Sequence, residues 1–201
     1  CSGEKNVLVK AEWSDPEAEP YSQTAFYLDR EKEYAYQAAY YNRMADAARQ
    51  GLDNIPYVRV DCGRTAYLIA LAYGCPVRVN EHAVSAAPIA FTPEEVKAIQ
   101  RPERIWEWGL YPEIFRRMRE FEDRMGSVAF VPADTQSPFD VLTEIVQMES
   151  ALMMAYDDPD ALKGLLQKLT DSIAEVTLAQ RDAVTNWAYG NDYPLPRGIH
   201  L

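Results

Sequence analysis

The stretch Ile55-Pro56-Tyr57-Val58-Arg59-Val60-Asp61-Cys62-Gly63 decides the fold. A proline-led apolar run stops at an aspartate and a glycine, which is how a buried strand ends in a turn. A helix follows over Thr65–Tyr73, closed by Gly74. Glycine is common just past a helix end because it accepts the left-handed conformation there. Pro76-Val77-Arg78-Val79 reads as the next strand, ending at Asn80-Glu81-His82. Two strand-to-helix steps in succession predict an α/β protein with a parallel sheet.

Toward the N-terminus, residues 1–27 are acidic and loop-rich, with Pro16, Pro20 and the turn-prone Ser14-Asp15-Pro16. They read as an entry arm or lid ahead of a main unit at residues 28–201. From Leu28 the pattern is helical, with Tyr34, Tyr41, Met44 and Ala48 at helical spacings and Gly51 as the stop. Toward the C-terminus, Thr92-Pro93-Glu94-Glu95 starts a helix with a capping hydroxyl, a proline and two acids. Another helix runs from about Pro112 to Met125. Ser127-Val128-Ala129-Phe130-Val131-Pro132 is a third strand, ending at Ala133-Asp134-Thr135-Gln136. After Ser137-Pro138 the chain is predicted helical to about Ser150. A last helix, capped by Asp157-Asp158-Pro159-Asp160, is predicted to reach Trp187. Its Leu162, Leu165, Leu166, Leu169, Ile173 and Val176 follow the 3.6-residue period. Tyr193–Leu201 looks like the approach to a fourth strand.

Composition narrows the function. Hydrophobic residues make up 48% of the 201, enough for a core, which excludes a disordered or collagen-like chain. No apolar run is long enough to span a bilayer. The 31 acidic and 20 basic side chains leave a net charge of −11, which argues against nucleic acid or an anionic membrane as a partner. Cys1, Cys62 and Cys75 are too few for a disulfide framework, so a reducing compartment, the cytoplasm, is expected. The opening Cys1-Ser2-Gly3 reads either as a mature lipoprotein start or as a boundary inside a longer chain.

Each expected strand ends in polar residues: Asp61, then Asn80 and His82, then Asp134 and Gln136. In parallel α/β folds the loops at strand carboxyl ends converge on one crevice, so these are the candidate site residues. Strand ends are also polar simply because they leave the core. Cys62, Cys75 and His82 lack a metal-ligand spacing and are read as separate thiols and a loop histidine, so no metal site is assigned. The arginines between Arg101 and Arg124 alternate with acids, the pattern of a salt-bridged, solvated face. Met148, Met153 and Met154 are read as filler for a core or an interface.

Ile55–Asp61 leading into Ala72-Tyr73-Gly74-Cys75-Pro76-Val77 resembles the uroporphyrinogen decarboxylase superfamily. So do Gln136-Ser137-Pro138-Phe139-Asp140-Val141-Leu142 and Asp158-Pro159-Asp160-Ala161-Leu162-Lys163-Gly164-Leu165-Leu166. The resemblance runs from about Leu28 to the C-terminus. It implies a (β/α)₈ TIM-barrel fold, of which this chain holds about the first half. Three or four strands would leave open edges, so a homo-oligomer, or completion by a second chain segment, is expected.

The resemblance also implies site roles. Asp61 falls where the decarboxylase places the aspartate that contacts pyrrole nitrogens; as an alternative, it caps the following helix. Glu144 stands where that enzyme has a tyrosine, and Asp61 and Glu144 are the catalytic candidates. Asn80, His82, Asp134 and Gln136 are the substrate-binding candidates. The decarboxylase's arginine-rich N-terminal signature is missing from residues 1–55, although a substrate with many carboxylates needs cationic clamps. The corrinoid-linked methyltransferase branch lacks that signature and fits better. It implies a small-molecule or corrinoid-protein substrate, a corrinoid (cobalamin), and zinc whose ligands are expected beyond Leu201. Corrinoid-linked methyl transfer is therefore the first expectation. Uroporphyrinogen decarboxylation and a non-catalytic half-barrel that binds a tetrapyrrole or a partner are the alternatives.

Overall fold

A computed structural model describes residues 20–52, 54–63 and 67–188. The expected strand at Tyr193–Leu201 and most of the N-terminal arm lie outside them. A short helix and a long one open the described chain, α1 (Gln23–Leu28) and α2 (Arg30–Arg49). The Ser22 and Asp29 side chains cap them, each accepting a backbone N–H of the first turn. Then follow β1 (Val58–Arg59), α3 (Leu68–Ala72), β2 (Val77–Val79) and β3 (Val84–Ala86). The remaining elements are α4 (Pro93–Ala98), a 3₁₀ turn (Ile105–Glu107), α5 (Tyr111–Met125), β4 (Phe130–Val131), α6 (Pro138–Ile145), α7 (Met148–Asp157) and α8 (Pro159–Asp182).

β1 and β4 pair in parallel, Val58 opposite Phe130 and Arg59 opposite Val131. On the other side of β4 the chain at Trp187 joins in parallel, with Phe130 N–H donating to the Asn186 carbonyl and Ala188 N–H to the Phe130 carbonyl. Three parallel segments therefore lie in the order β1, β4, Trp187, with helices in each crossover. This is the expected α/β alternation, but its second strand is not the expected one.

Pro76–Val79 does not enter that sheet. β2 turns back on β3 as an antiparallel hairpin, Val77 opposite Ala86 and Val79 opposite Val84. The connection is too short for a parallel crossover, which needs a dozen or more residues. Two helices also differ from expectation. The one after Ser137 breaks at Val146, which turns extended and pairs with Ala90. The last ends at Asp182, which frees Trp187 to reach the sheet.

The core forms between the sheet and the helices that cross it. Val58, Val60 and Phe130 pack with Leu68 and Ile69 of α3, Ile114 and Phe121 of α5, and Leu165 and Leu169 of α8. Two capping boxes start the helices where sequence places them: Thr92 with Glu95 for α4, and Ser137 with Asp140 for α6. The outer edge of β1 is closed by side chains of α2. Gln37 accepts the N–H of Arg59 at 3.3 Å and Glu33 accepts that of Asp61 at 3.1 Å.

Candidate active site at the carboxyl end of the strands

Asp61 leaves β1 fully buried, and the chain then turns through two residues with positive φ, Cys62 and Gly63. The turn is held from both sides. Tyr21 Oη donates to the Gly63 carbonyl at 2.7 Å, and Gly63 packs so closely on α1 that a Cβ there would lie 2.3 Å from the Gln23 carbonyl oxygen. On the inner side, Glu33 takes the Asp61 N–H with Oε1 while its Oε2 pairs with Arg117 Nη1 at 2.7 Å. Arg117 also donates to the carbonyls of Phe26 and Tyr27 and, through Nε, to Glu113. One buried guanidinium thus ties α1, α2 and α5 to the end of β1.

The buried charges set the state of the turn. Burial raises the pKa of Glu33, opposed by Arg117 and by backbone N–H groups of Asp61 and Cys62. Burial pushes the Cys62 thiol well up, and the Glu33 carboxylate adds to that. Cys62 is therefore a neutral thiol and no ready nucleophile.

At the end of β4, Asp134 accepts the N–H of Gln136, which adopts a positive φ of 53°. The preceding Ala133 N–H is anchored on Gln180 of α8 at 2.9 Å. Tyr111, at the start of α5, is wholly buried, and its pKa is raised by burial and then by the Asp134 carboxylate. Its hydroxyl makes no hydrogen bond among the described residues. Asp61 and Asp134 thus stand at the carboxyl ends of neighbouring parallel strands.

The other expected site residues divide. Asn80 and His82 lie in the turn of the β2–β3 hairpin, not at the end of a sheet strand. The Asn80 side chain accepts the N–H groups of His82 and Ala83, a local turn-forming role. Thr24 Oγ1 donates to the Asn80 carbonyl at 2.7 Å, so α1 carries both this turn and the Gly63 loop. The His82 side chain is 85% exposed. Glu144 belongs to a second cluster. Its pKa is raised by burial and then by Asp140, and it raises those of Tyr67 and Cys75, whose thiol is pushed up to about 12 mainly by burial. The alternative in which Asp61 caps a helix starting near Thr65 falls outside the described residues, and the described α3 runs from Leu68 to Ala72. Among the described residues no group of three or more His, Cys, Asp or Glu side chains could hold a metal.

Sequence reasoning missed Glu33, read Arg117 as part of a solvated face although it is buried, and missed Tyr111 and Arg59. The first two carried a signal, since a charged residue sits within the buried stripe of each helix. Glu33 lines up with Gln37, Met44 and Ala47, and Arg117 with Ile114, Met118 and Phe121. Arg59, half-buried on β1, has a buried Nε without a hydrogen bond among the described residues. No spacing rule marks it.

Comparison with known proteins agrees with the topology. The family profile described as uroporphyrinogen decarboxylase matches residues 28–187. Among solved structures, a methyltransferase from Methanosarcina mazei superposes with a TM-score of 0.59 at 18% identity, over 81% of this chain and 45% of that one. The chain thus spans under half the length of that protein. No curated protein matches. No helix among the described residues is long and apolar enough to cross a membrane. The profile match and the superposition carry a TIM-barrel-type fold, and the chain belongs to the uroporphyrinogen decarboxylase family.

Proposed function

We propose that this chain contributes the first strands and the substrate floor of a barrel enzyme of the corrinoid-linked methyl-transfer branch. What carries this reading is the buried Asp61 at the end of β1 in a chain whose residues 1–55 lack an arginine-rich signature. Asp61 and Glu33 are buried there, and Arg117 is spent on Glu33, Glu113 and two backbone carbonyls. A porphyrinogen rich in carboxylates needs cationic clamps, and residues 1–55 lack the arginine-rich signature that would supply them, which disfavours the decarboxylase reaction. The superposed methyltransferase favours the same choice.

A corrinoid, when bound, supplies a cobalt-held methyl group for transfer to a nucleophile. The residues of this chain bind and orient. The Asp61 carboxylate, its backbone fixed through Glu33, presents an acceptor to N–H or O–H groups on the ligand. Asp134 and Tyr111 form the adjoining wall, with the phenol kept protonated as a donor at neutral pH. Cys62 and Cys75 are buried and held neutral, so neither is poised as the methyl acceptor.

The test is incubation of the protein with methylcobalamin and a small thiol, followed by absorbance and by mass spectrometry of the S-methyl product. Turnover that falls at least tenfold in Asp61→Asn supports the reading. Release of CO₂ from uroporphyrinogen would replace it with the family's decarboxylase chemistry. Tight corrinoid or porphyrin binding without turnover would assign a binding role alone.

A further inference from the structure

Helix α7 presents a second surface, away from the strand ends. Ala151 and Met154 bury its inner side, whereas Leu152, Met153 and Tyr156 are 61%, 62% and 89% exposed. Glu149, Leu152, Met153, Tyr156 and Asp157 stand three and four residues apart and share one helix face. Beside them a cavity of about 320 Å³ opens between Phe91, just before α4, and Glu149, Met153 and Asp157. Large apolar side chains clustered on a surface mark an interaction site more often than isolated ones do.

The charges around this cavity name the occupant. Glu149 and Asp157 lie one turn to either side of Met153. Asp157 makes no ion pair among the described residues, and Glu149 has only a 3.4 Å contact from Gln147 Nε2. The nearby lysines are committed elsewhere, Lys97 to Asp158 and Lys163 to Asp160. A second copy docked about a two-fold axis would set these acids against their own counterparts, in a chain of net charge −11. A helix with lysine or arginine beside leucine-like residues complements both features. The long aliphatic stem of such a cation suits an apolar cavity with carboxylates at its mouth. Flexible thioethers allow the same groove to accept varied side chains.

We propose that the exposed face of α7, with the Phe91 cavity, docks a basic amphipathic helix of a partner protein. The partner's apolar residues cover Leu152, Met153 and Tyr156. One of its cationic side chains enters the cavity and ends at Glu149 and Asp157. The inference is independent of the reaction at the strand ends.

The test uses the whole chain and two fluorescent synthetic helices, one of leucine and lysine in amphipathic order and one with glutamate for lysine. The lysine helix is expected to bind, more weakly as salt rises, and the glutamate helix not to bind. Doubly reversing Glu149→Lys and Asp157→Lys should weaken binding by about tenfold or more, as should Leu152→Lys. The reversals Glu81→Lys and Asp123→Lys change net charge equally at remote exposed sites and should alter binding by less than about twofold. All of these residues are exposed or at the surface, and circular dichroism checks that the variants remain folded. Equal weakening by the remote pair would reduce the effect to net charge and overturn the proposal. So would binding of neither helix, or insensitivity to Leu152→Lys. A sedimenting dimer that Leu152→Lys dissociates would show a second copy on this face instead.

Discussion

Glu33 Oε1 accepts the backbone N–H of Asp61 at 3.1 Å, while the other oxygen of the same carboxylate pairs with Arg117. A helix that precedes the sheet thus holds the end of its first strand. This contact links fold and site, because it sets where the Asp61 side chain begins.

Arg117→Met should be the most damaging single change in this region. It leaves the Glu33 carboxylate buried without its cation, at a cost of about 3–5 kcal/mol. The double change Glu33→Leu with Arg117→Met should recover much of that loss, since no uncompensated charge remains. Urea unfolding of the three proteins checks both statements.

Gly63→Ala should destabilise by more than about 2 kcal/mol, the positive φ alone accounting for roughly 1–2 kcal/mol. The rest comes from the new Cβ against the Gln23 carbonyl. Faster proteolysis in α1, at a temperature where the rest stays folded, would locate the damage. Unchanged cleavage there would place the strain elsewhere.

Ser137→Ala removes the cap of α6 immediately after the Asp134–Gln136 loop and should cost about 1 kcal/mol. Thermal unfolding reads the loss.

Glu144 makes stability depend on pH in a defined direction. Its folded pKa lies above that of the unfolded chain, so the native state holds the proton more tightly. Its contribution to stability is full below the ordinary glutamate pKa and is lost as pH rises through the folded value. Glu144→Gln cannot ionise. Its melting temperature should gain on the wild type as pH rises from acid toward neutral, and a constant difference across that range would contradict the assignment.

Cys62 and Cys75 should both resist alkylation in the folded protein. Burial hides each sulfur and holds it protonated. Peptide mass spectrometry after iodoacetamide treatment should find both unmodified until denaturant is added.

Helix existence was largely legible in the sequence because helical signals are local. The Thr92-Pro93-Glu94-Glu95 start, the Ser137-Pro138 start and the leucine period of α8 all lie within a few turns of chain, and each appears as written. A parallel strand within Ile55–Val60 was legible for the same reason, although only Val58–Arg59 pair as β1, and so were Asp61 and Asp134 after β1 and β4. Helix ends were less so. Val146 leaves the helical conformation to pair with Ala90, and Trp187 to pair with Phe130, partners separated by more than fifty residues.

Residue type and spacing over short distances set the α/β alternation, the capped starts of the helices and the polar ends of the strands. Tertiary structure alone decided that Pro76–Val79 folds back as a hairpin, that Glu33 and Arg117 hold Asp61, and that Glu144 joins Cys75 instead. Those outcomes depend on which distant groups share a buried volume, where an unpaired charge or strand edge is costly, and no local pattern encodes that pairing.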